Sequence, residues 1–247
     1  MSAYFLIILL LGAATGGFVN GLAGFGTALI ALGFWLQIMP PQQAVPLVVV
    51  MSVISGLQGL WLVRHSVGAQ PKRLARFFLP GIIGVPLGVA ALAIIDPKLL
   101  KIAIAGLMLL YGGFFTLRRS LPKLEYPTPF MDSFVGFLGG VLGGAASLSG
   151  ALPTMWCALR PWSKSETRAV LQPYNVGLLA LTMAVFALQG AYTGQALKLI
   201  AITLPVTILC AQIGISIFKR LSDDQFRQLL ITMMLISGLA LTVKEVL

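Results

Sequence analysis

The amino-acid sequence predicts an all-α integral membrane protein made of two inverted-topology repeats of four apolar segments. Three observations carry that prediction. Of 247 residues, 58% are hydrophobic and only 10% are charged, with a mean hydropathy of +0.95. The apolar residues form eight runs separated by short polar connections. Glycines and prolines of the first half recur in order in the second half, while equivalent connections carry opposite charge bias.

A soluble domain needs about a quarter of its residues charged to cover a wetted surface. Long uninterrupted apolar runs are tolerated in lipid, and this length suits about eight segments of roughly 20 residues. The formal charge of +10 does not indicate a nucleic-acid partner, because the basic residues sit in small clusters between apolar runs and form no single patch. That distribution is the one expected of basic connections held in the cytoplasm. The expected location is therefore the cell inner membrane, multi-pass. The amino-terminal run MSAYFLIILLLGAATGG lacks a basic leader and an evident cleavage site, so it is read as mature structure. Cys157 and Cys210 lie inside apolar stretches without paired spacing to His or Asp, which predicts buried packing residues and no metal site.

The segments run over approximately 4–37, 44–63, 77–95, 99–117, 130–159, 169–188, 197–217 and 226–243. Six have the length of a single crossing. The segments 4–37 and 130–159 are too long for one crossing and too short for two, and glycines interrupt both: Gly16, Gly17, Gly21, Gly24 and Gly26, then Gly136, Gly139, Gly140, Gly143, Gly144 and Gly150. Each glycine weakens a helix by about 1 kcal/mol relative to Ala. Close helix packing through small residues is the ordinary explanation; a break in the helix is the alternative that the repeat favours.

The repeat matches Gly17, Phe18, Gly21 and Gly24 to Gly136, Phe137, Gly140 and Gly143 at an offset of 119. Ala44 and Val45 match Ala169 and Val170; Pro80 matches Pro205, Gly88 matches Gly214, Lys101 matches Arg227 and Gly112 matches Gly238, the offset drifting to 126. The two copies are thus 1–125 and 126–247. Connection 38–43 is uncharged whereas 160–168 carries Arg160, Lys164 and Arg168; connection 64–76 carries Arg64, Lys72, Arg73 and Arg76 whereas 189–198 has only Lys198. Opposite bias places the copies upside down relative to each other. Inversion requires an odd number of crossings per copy. The glycine-broken segments are therefore expected to be re-entrant hairpins of two half-helices, with both termini outside. Eight plain crossings is the competing topology.

No enzyme constellation is visible. His65 beside Arg64 reads as a solvated flank, and the carboxylates fall in connections or at segment ends. Cofactors and metals are not expected. The interior instead offers uncharged polar groups. Most Ser and Thr residues are expected to bond back to their own helix, whereas an amide in hydrocarbon is costly without partners and should face a polar interior. A broken helix exposes backbone N–H groups that, with the aligned dipole, favour an anion. The expected substrate-binding residues are Asn20, Gly21, Gly24 and Thr27 from the first break, and Ser147, Ser149 and Gly150 from the second. Gln172, Tyr174 and Asn175 follow, then Gln58 and Gln212. Arg160 and Arg168 read first as topology determinants, and secondarily as residues that gather anions at a cytoplasmic mouth.

The glycine-rich stretch GFVNGLAGFGTALIALGF, repeated as GFLGGVLGGAASLSGALP and followed by PPQQAV or SETRAV, resembles the TauE/SafE sulfite-exporter family over essentially the whole chain. The resemblance implies transport of small sulfur-containing or organic anions such as sulfite or sulfonates. Phe25 interrupts the first glycine run, and Leu29 stands where Pro153 does in the second, which departs from the family pattern. The expected function is a secondary transporter working by alternating access, with the lipid bilayer as its environment. A coupling proton or cation and a homodimer are compatible with the sequence. An anion channel-like pore and a membrane-embedded thiol-handling or assembly protein are the alternatives.

Overall fold

A computed structural model describes residues 2–67, 71–96, 124–157 and 159–222, with isolated positions between 98 and 113 and residue 225. The apolar stretches 99–117 and 226–243 thus lie largely or wholly outside the described residues, as do the matches of Lys101 with Arg227 and Gly112 with Gly238. The His65 side chain, Asp223 and Asp224 lie outside them too.

The described residues form helices and no strand. In chain order these are α1 (Ala3–Ala23), α2 (Thr27–Trp35), α3 (Pro41–Val67), α4 (Pro71–Ile94), α5 (Pro129–Ala146), α6 (Ala151–Cys157), α7 (Lys164–Leu188) and α8 (Gly194–Phe218). Six of them, α1, α3, α4, α5, α7 and α8, are long and apolar enough to cross a membrane. At 1.5 Å per residue, α2 and α6 reach only about 14 and 10 Å, less than half a hydrocarbon layer. Large apolar side chains such as Trp61, Leu79, Ile83, Leu87, Leu209 and Ile213 point outward, as lipid-facing surfaces require. Pro46, Pro80, Pro86, Pro173 and Pro205 sit inside helices, a use that membrane helices tolerate.

Both glycine-rich segments are broken. The first helix ends where Gly24 adopts a left-handed conformation (φ 80°) and donates to the Asn20 carbonyl at 2.7 Å; Gly26 (φ 97°) then starts α2. The second break turns on Ser147 (φ 57°), whose N–H donates to Gly143 at 2.9 Å while Leu148 donates to Leu142 at 3.1 Å. In each case the chain doubles back. Trp35 donates its indole N–H to the Leu9 carbonyl at 3.0 Å, filling the space left open at Gly12. Trp156 donates likewise to Asp132 at 2.7 Å, and Pro153 packs at Gly139. The expectation of two half-helices needs correcting on one point: the first arm of each hairpin is long, 21 and 18 residues, and only the return arm is short. A long arm places the glycine face against a neighbouring helix along most of its length.

That neighbour comes from the other half of the chain. Helix α1 packs on α8, α5 packs on α4, and α3 meets α7 between them. Backbones touch directly, because the contact positions lack side chains. A Cβ at Gly17 would lie 2.5 Å from the Thr207 carbonyl, and Gly21 abuts Ala211 while Gly214 abuts Phe18. The mirror set joins Gly140 to Gly81, Gly144 to Val85 and Gly88 to Val141. The contact of Gly17 with Thr207 has the form of that of Gly140 with Gly81, and Gly21 with Ala211 that of Gly144 with Val85.

Candidate functional site

The two breaks face one cavity between α1, α3 and α7, with about 330 Å³ of empty space including its mouth. Only about 20 Å³ of that space admits the centre of a water-sized sphere, so the cavity is narrow. Its polar lining comes from Asn20, Ser52, Ser147, Ser149 and Asn175, with backbone exposed at Gly24, Gly26, Gly56 and Gly150. Phe25, Leu29, Leu148, Val176 and Leu179 make the apolar wall.

Each polar side chain is held by a specific partner. The amide of Asn20 donates to Ser55 Oγ at 2.6 Å and to the Ser52 carbonyl at 3.2 Å, which leaves its buried Oδ1 without a protein partner. Ser149 donates to Asn175 Oδ1 at 3.0 Å, leaving the buried Asn175 Nδ2 unpaired. The Ser52 and Ser147 hydroxyls stand 3.5 Å apart, joining α3 to the second break. A side chain at Gly150 would collide with the Asn175 amide at 2.7 Å, so glycine keeps this wall open.

Of the residues expected from sequence, Asn20, Gly24, Ser147, Ser149, Gly150 and Asn175 line the cavity. Gln172 lies just behind it: its Nε2 donates to the Gly56 carbonyl at 2.9 Å and its Oε1 faces Gly24, buried and unpaired. The others lie elsewhere. Gly21 serves the contact with Ala211. Thr27 is buried with an unpaired hydroxyl, its methyl group turned to Gly16. Tyr174 donates to the Gly136 carbonyl at 2.8 Å and packs edge-on to Phe77, tying α7 to α5. Gln58 has a buried, unpaired Oε1 but does not reach the cavity, and Gln212 is exposed on the outer face of α8. Amide chemistry alone did not reveal which face each residue occupied.

Ser52 and the apolar wall were missing from the expected set. Helical spacing was the available signal. Asn20 and Gly24, Ser52 and Gly56, and Asn175 and Leu179 are each four residues apart, and Val176 and Leu179 are three apart. Ser55, Thr182, Thr203, Thr207 and Ser216 behave as expected and donate to carbonyls four residues earlier, whereas the buried Thr154 hydroxyl has no partner among the described residues.

The two arginines diverge from the sequence reading, because both are buried, 8% exposed for Arg160 and 5% for Arg168. Arg160 bonds Asp132 at 3.0 Å, Thr128, and the carbonyls of Leu124 and Tyr126. It is neutralised and structural. Arg168 donates to the Gly21 and Leu22 carbonyls at 3.0 and 3.3 Å and lies over the Phe218 ring.

Against known proteins, the family model described as "Sulfite exporter TauE/SafE" matches residues 8–241. No curated protein and no solved structure matches the chain.

Proposed function

This chain belongs to the sulfite exporter TauE/SafE family, and on that premise we propose that it carries a small sulfur-containing or organic anion, such as sulfite or a sulfonate, by alternating access. The family is one of membrane transporters, and the six long apolar helices make this a multi-pass membrane protein. The proposed membrane is the cytoplasmic one.

The observation that carries the substrate reading is the meeting of both helix breaks at one cavity with a buried, unpaired Asn175 amide. Helix α2 starts at Gly26 without a side-chain cap, so its first N–H groups have no intrahelical partner. Those groups, the Asn175 Nδ2 and the one hydroxyl of the Ser52–Ser147 pair that does not donate to the other supply donors for an oxyanion, while the Ser149 O–H is held by Asn175 Oδ1.

The mechanism rests on duplication with inversion of 1–125 against 126–247. Reciprocal packing supports it: Gly214 meets Phe18 as Gly88 meets Val141. Two such halves, each contributing one break to the site, can rock about a central contact between α3 and α7 and open the site to either side in turn.

The test is a thermal-shift screen of purified protein against sulfite, thiosulfate, small sulfonates and carboxylates. A ligand at 100 times its dissociation constant adds about 2.7 kcal/mol of stability, a readily visible shift. No shift with any of these anions would remove the substrate reading. Saturable flux with counterflow in proteoliposomes separates a carrier from a channel-like pore.

A further inference from the structure

Arg168 combines deep burial with an absence of any ion pair among the described residues. It lies on the second turn of α7, 5% exposed. Two of its nitrogens cap the end of α1 through the carbonyls of Gly21 and Leu22, groups that lack intrahelical partners and carry the negative end of the dipole. Capping does not account for the third nitrogen. Nε is buried and unpaired, and no carboxylate among the described residues balances the charge. A lone buried cation is costly, and the contrast with Arg160, whose charge Asp132 meets directly, shows that this fold can supply a partner where it needs one.

The unpaired side of the guanidinium faces the cavity wall. A Cβ built on Gly24, which lines the cavity, would lie 3.4 Å from Arg168 Nε and would overlap Gln172 Oε1. The Gly24 backbone and the Gln172 amide lie between the cation and the cavity. On the far side, Arg168 stacks over Phe218, followed directly by Lys219 and Arg220. A cation that stands between the cavity and a helix end bearing Lys219 and Arg220, with no carboxylate among the described residues to neutralise it, has the setting of a counter-ion for a mobile anion.

We propose that Arg168 is the charged contact for the transported anion and that it sets the preference of the site for doubly over singly charged oxyanions. The inference rests on the anion-transport reading above. A dianion gains about twice the Coulomb attraction of a monoanion at the same distance, whereas the neutral donors of Asn175 and the serines discriminate less between them.

Binding of thiosulfate, a dianion, and methanesulfonate, a monoanion, to detergent-solubilised full-length wild type, Arg168→Lys and Arg168→Gln tests this by titration calorimetry. In Arg168→Gln the ratio of the two affinities falls at least 10-fold in disfavour of thiosulfate, and Arg168→Lys keeps most of the preference. An unchanged ratio in Arg168→Gln assigns Arg168 to helix capping alone and overturns the inference. If that variant does not fold, wild type still decides: thiosulfate displaces the Arg168 Nε–H signal in an NMR titration, assigned with Arg168→Lys, and a stationary signal in a protein that binds thiosulfate overturns the proposal. A wild type that binds neither probe removes the anion reading itself, and this inference with it.

Discussion

Ser149 fixes the orientation of Asn175 by donating to its Oδ1 at 3.0 Å, and the consequence is a buried amide nitrogen with no protein partner at the cavity. Removing that donor by Asn175→Ala is expected to weaken anion binding by about 10- to 100-fold, corresponding to a hydrogen bond to a charged group at about 1.5–3 kcal/mol. Ser149→Ala should cost less, because the amide keeps its donor but loses its fixed orientation. Asn175→Asp places a carboxylate there and should abolish binding. Titration alongside thermal unfolding reads both effects, with unfolding midpoints near wild type in the alanine variants. Wild-type affinity in both alanine variants would move the site elsewhere.

Direct backbone contact between α1 and α8 makes a different class of residue sensitive. Gly21→Ala would drive a methyl group into the Ala211 carbonyl, which belongs to a helix backbone and has no rotamer to change. Overpacking of this kind costs about 1–3 kcal/mol and displaces helices. Gly33→Ala is the control, since nothing lies within 4 Å of the added carbon; it should be neutral or stabilise by about 0.4–1 kcal/mol. Thermal unfolding in detergent separates the two, and equal midpoints would show that the helices are not in contact there.

Asp132 collects Arg160, the Trp156 indole and, at 4.0 Å, Arg76. It therefore holds the return arm α6 to the start of α5. Asp132→Ala leaves Arg160 buried with its carbonyl and Thr128 hydrogen bonds but no counter-charge, and should cost about 3–5 kcal/mol. Replacing both, as Asp132→Leu with Arg160→Met, should recover much of that loss. A double-mutant cycle in thermal unfolding measures it, and independent, additive costs would mean that the pair does not act as a unit.

Cys157 is buried at the end of α6 and Cys210 half-buried on α8, neither lining the cavity. A Cys157→Ala, Cys210→Ala double variant is therefore expected to transport as wild type does in a proteoliposome flux assay. Lost flux with normal folding would favour thiol chemistry.

Much of this arrangement was legible in the sequence, but unevenly. The helix breaks were readable because Gly24 and Gly26 adopt left-handed conformations that glycine favours. The second break is less legible, since its left-handed residue is Ser147 and not one of the neighbouring glycines. Asn20 and Asn175 declared themselves as amides too costly to leave in lipid. Tyr174, Gln58 and Gln212 declared themselves equally and lie outside the cavity, because polarity names a residue but not the helix face it occupies. Burial of Arg168 was hidden for a related reason. Its partners are the carbonyls of Gly21 and Leu22, roughly 150 positions away in sequence, and a carbonyl leaves no mark on residue type.

The hairpins bear directly on how the two halves sit in the bilayer. Trp35 reaches back to Leu9, so the chain leaves α2 on the side where α1 began; Leu124 donates to Leu159 at 2.8 Å, so it leaves α6 on the side where α5 began. On the re-entrant reading each hairpin adds no net crossing, and connections 36–40 and 159–163 inherit the sides of their own starting points. With inversion these are opposite sides, whereas eight plain crossings would put both outside. Gln42 and Pro161 are exposed at the two places. In the cysteine-free background, a membrane-impermeant maleimide should label Gln42→Cys on intact cells and Pro161→Cys only after permeabilisation. Labelling of both on intact cells would dismiss the inverted arrangement and leave the cavity to be opened by some motion other than the rocking of two opposed halves.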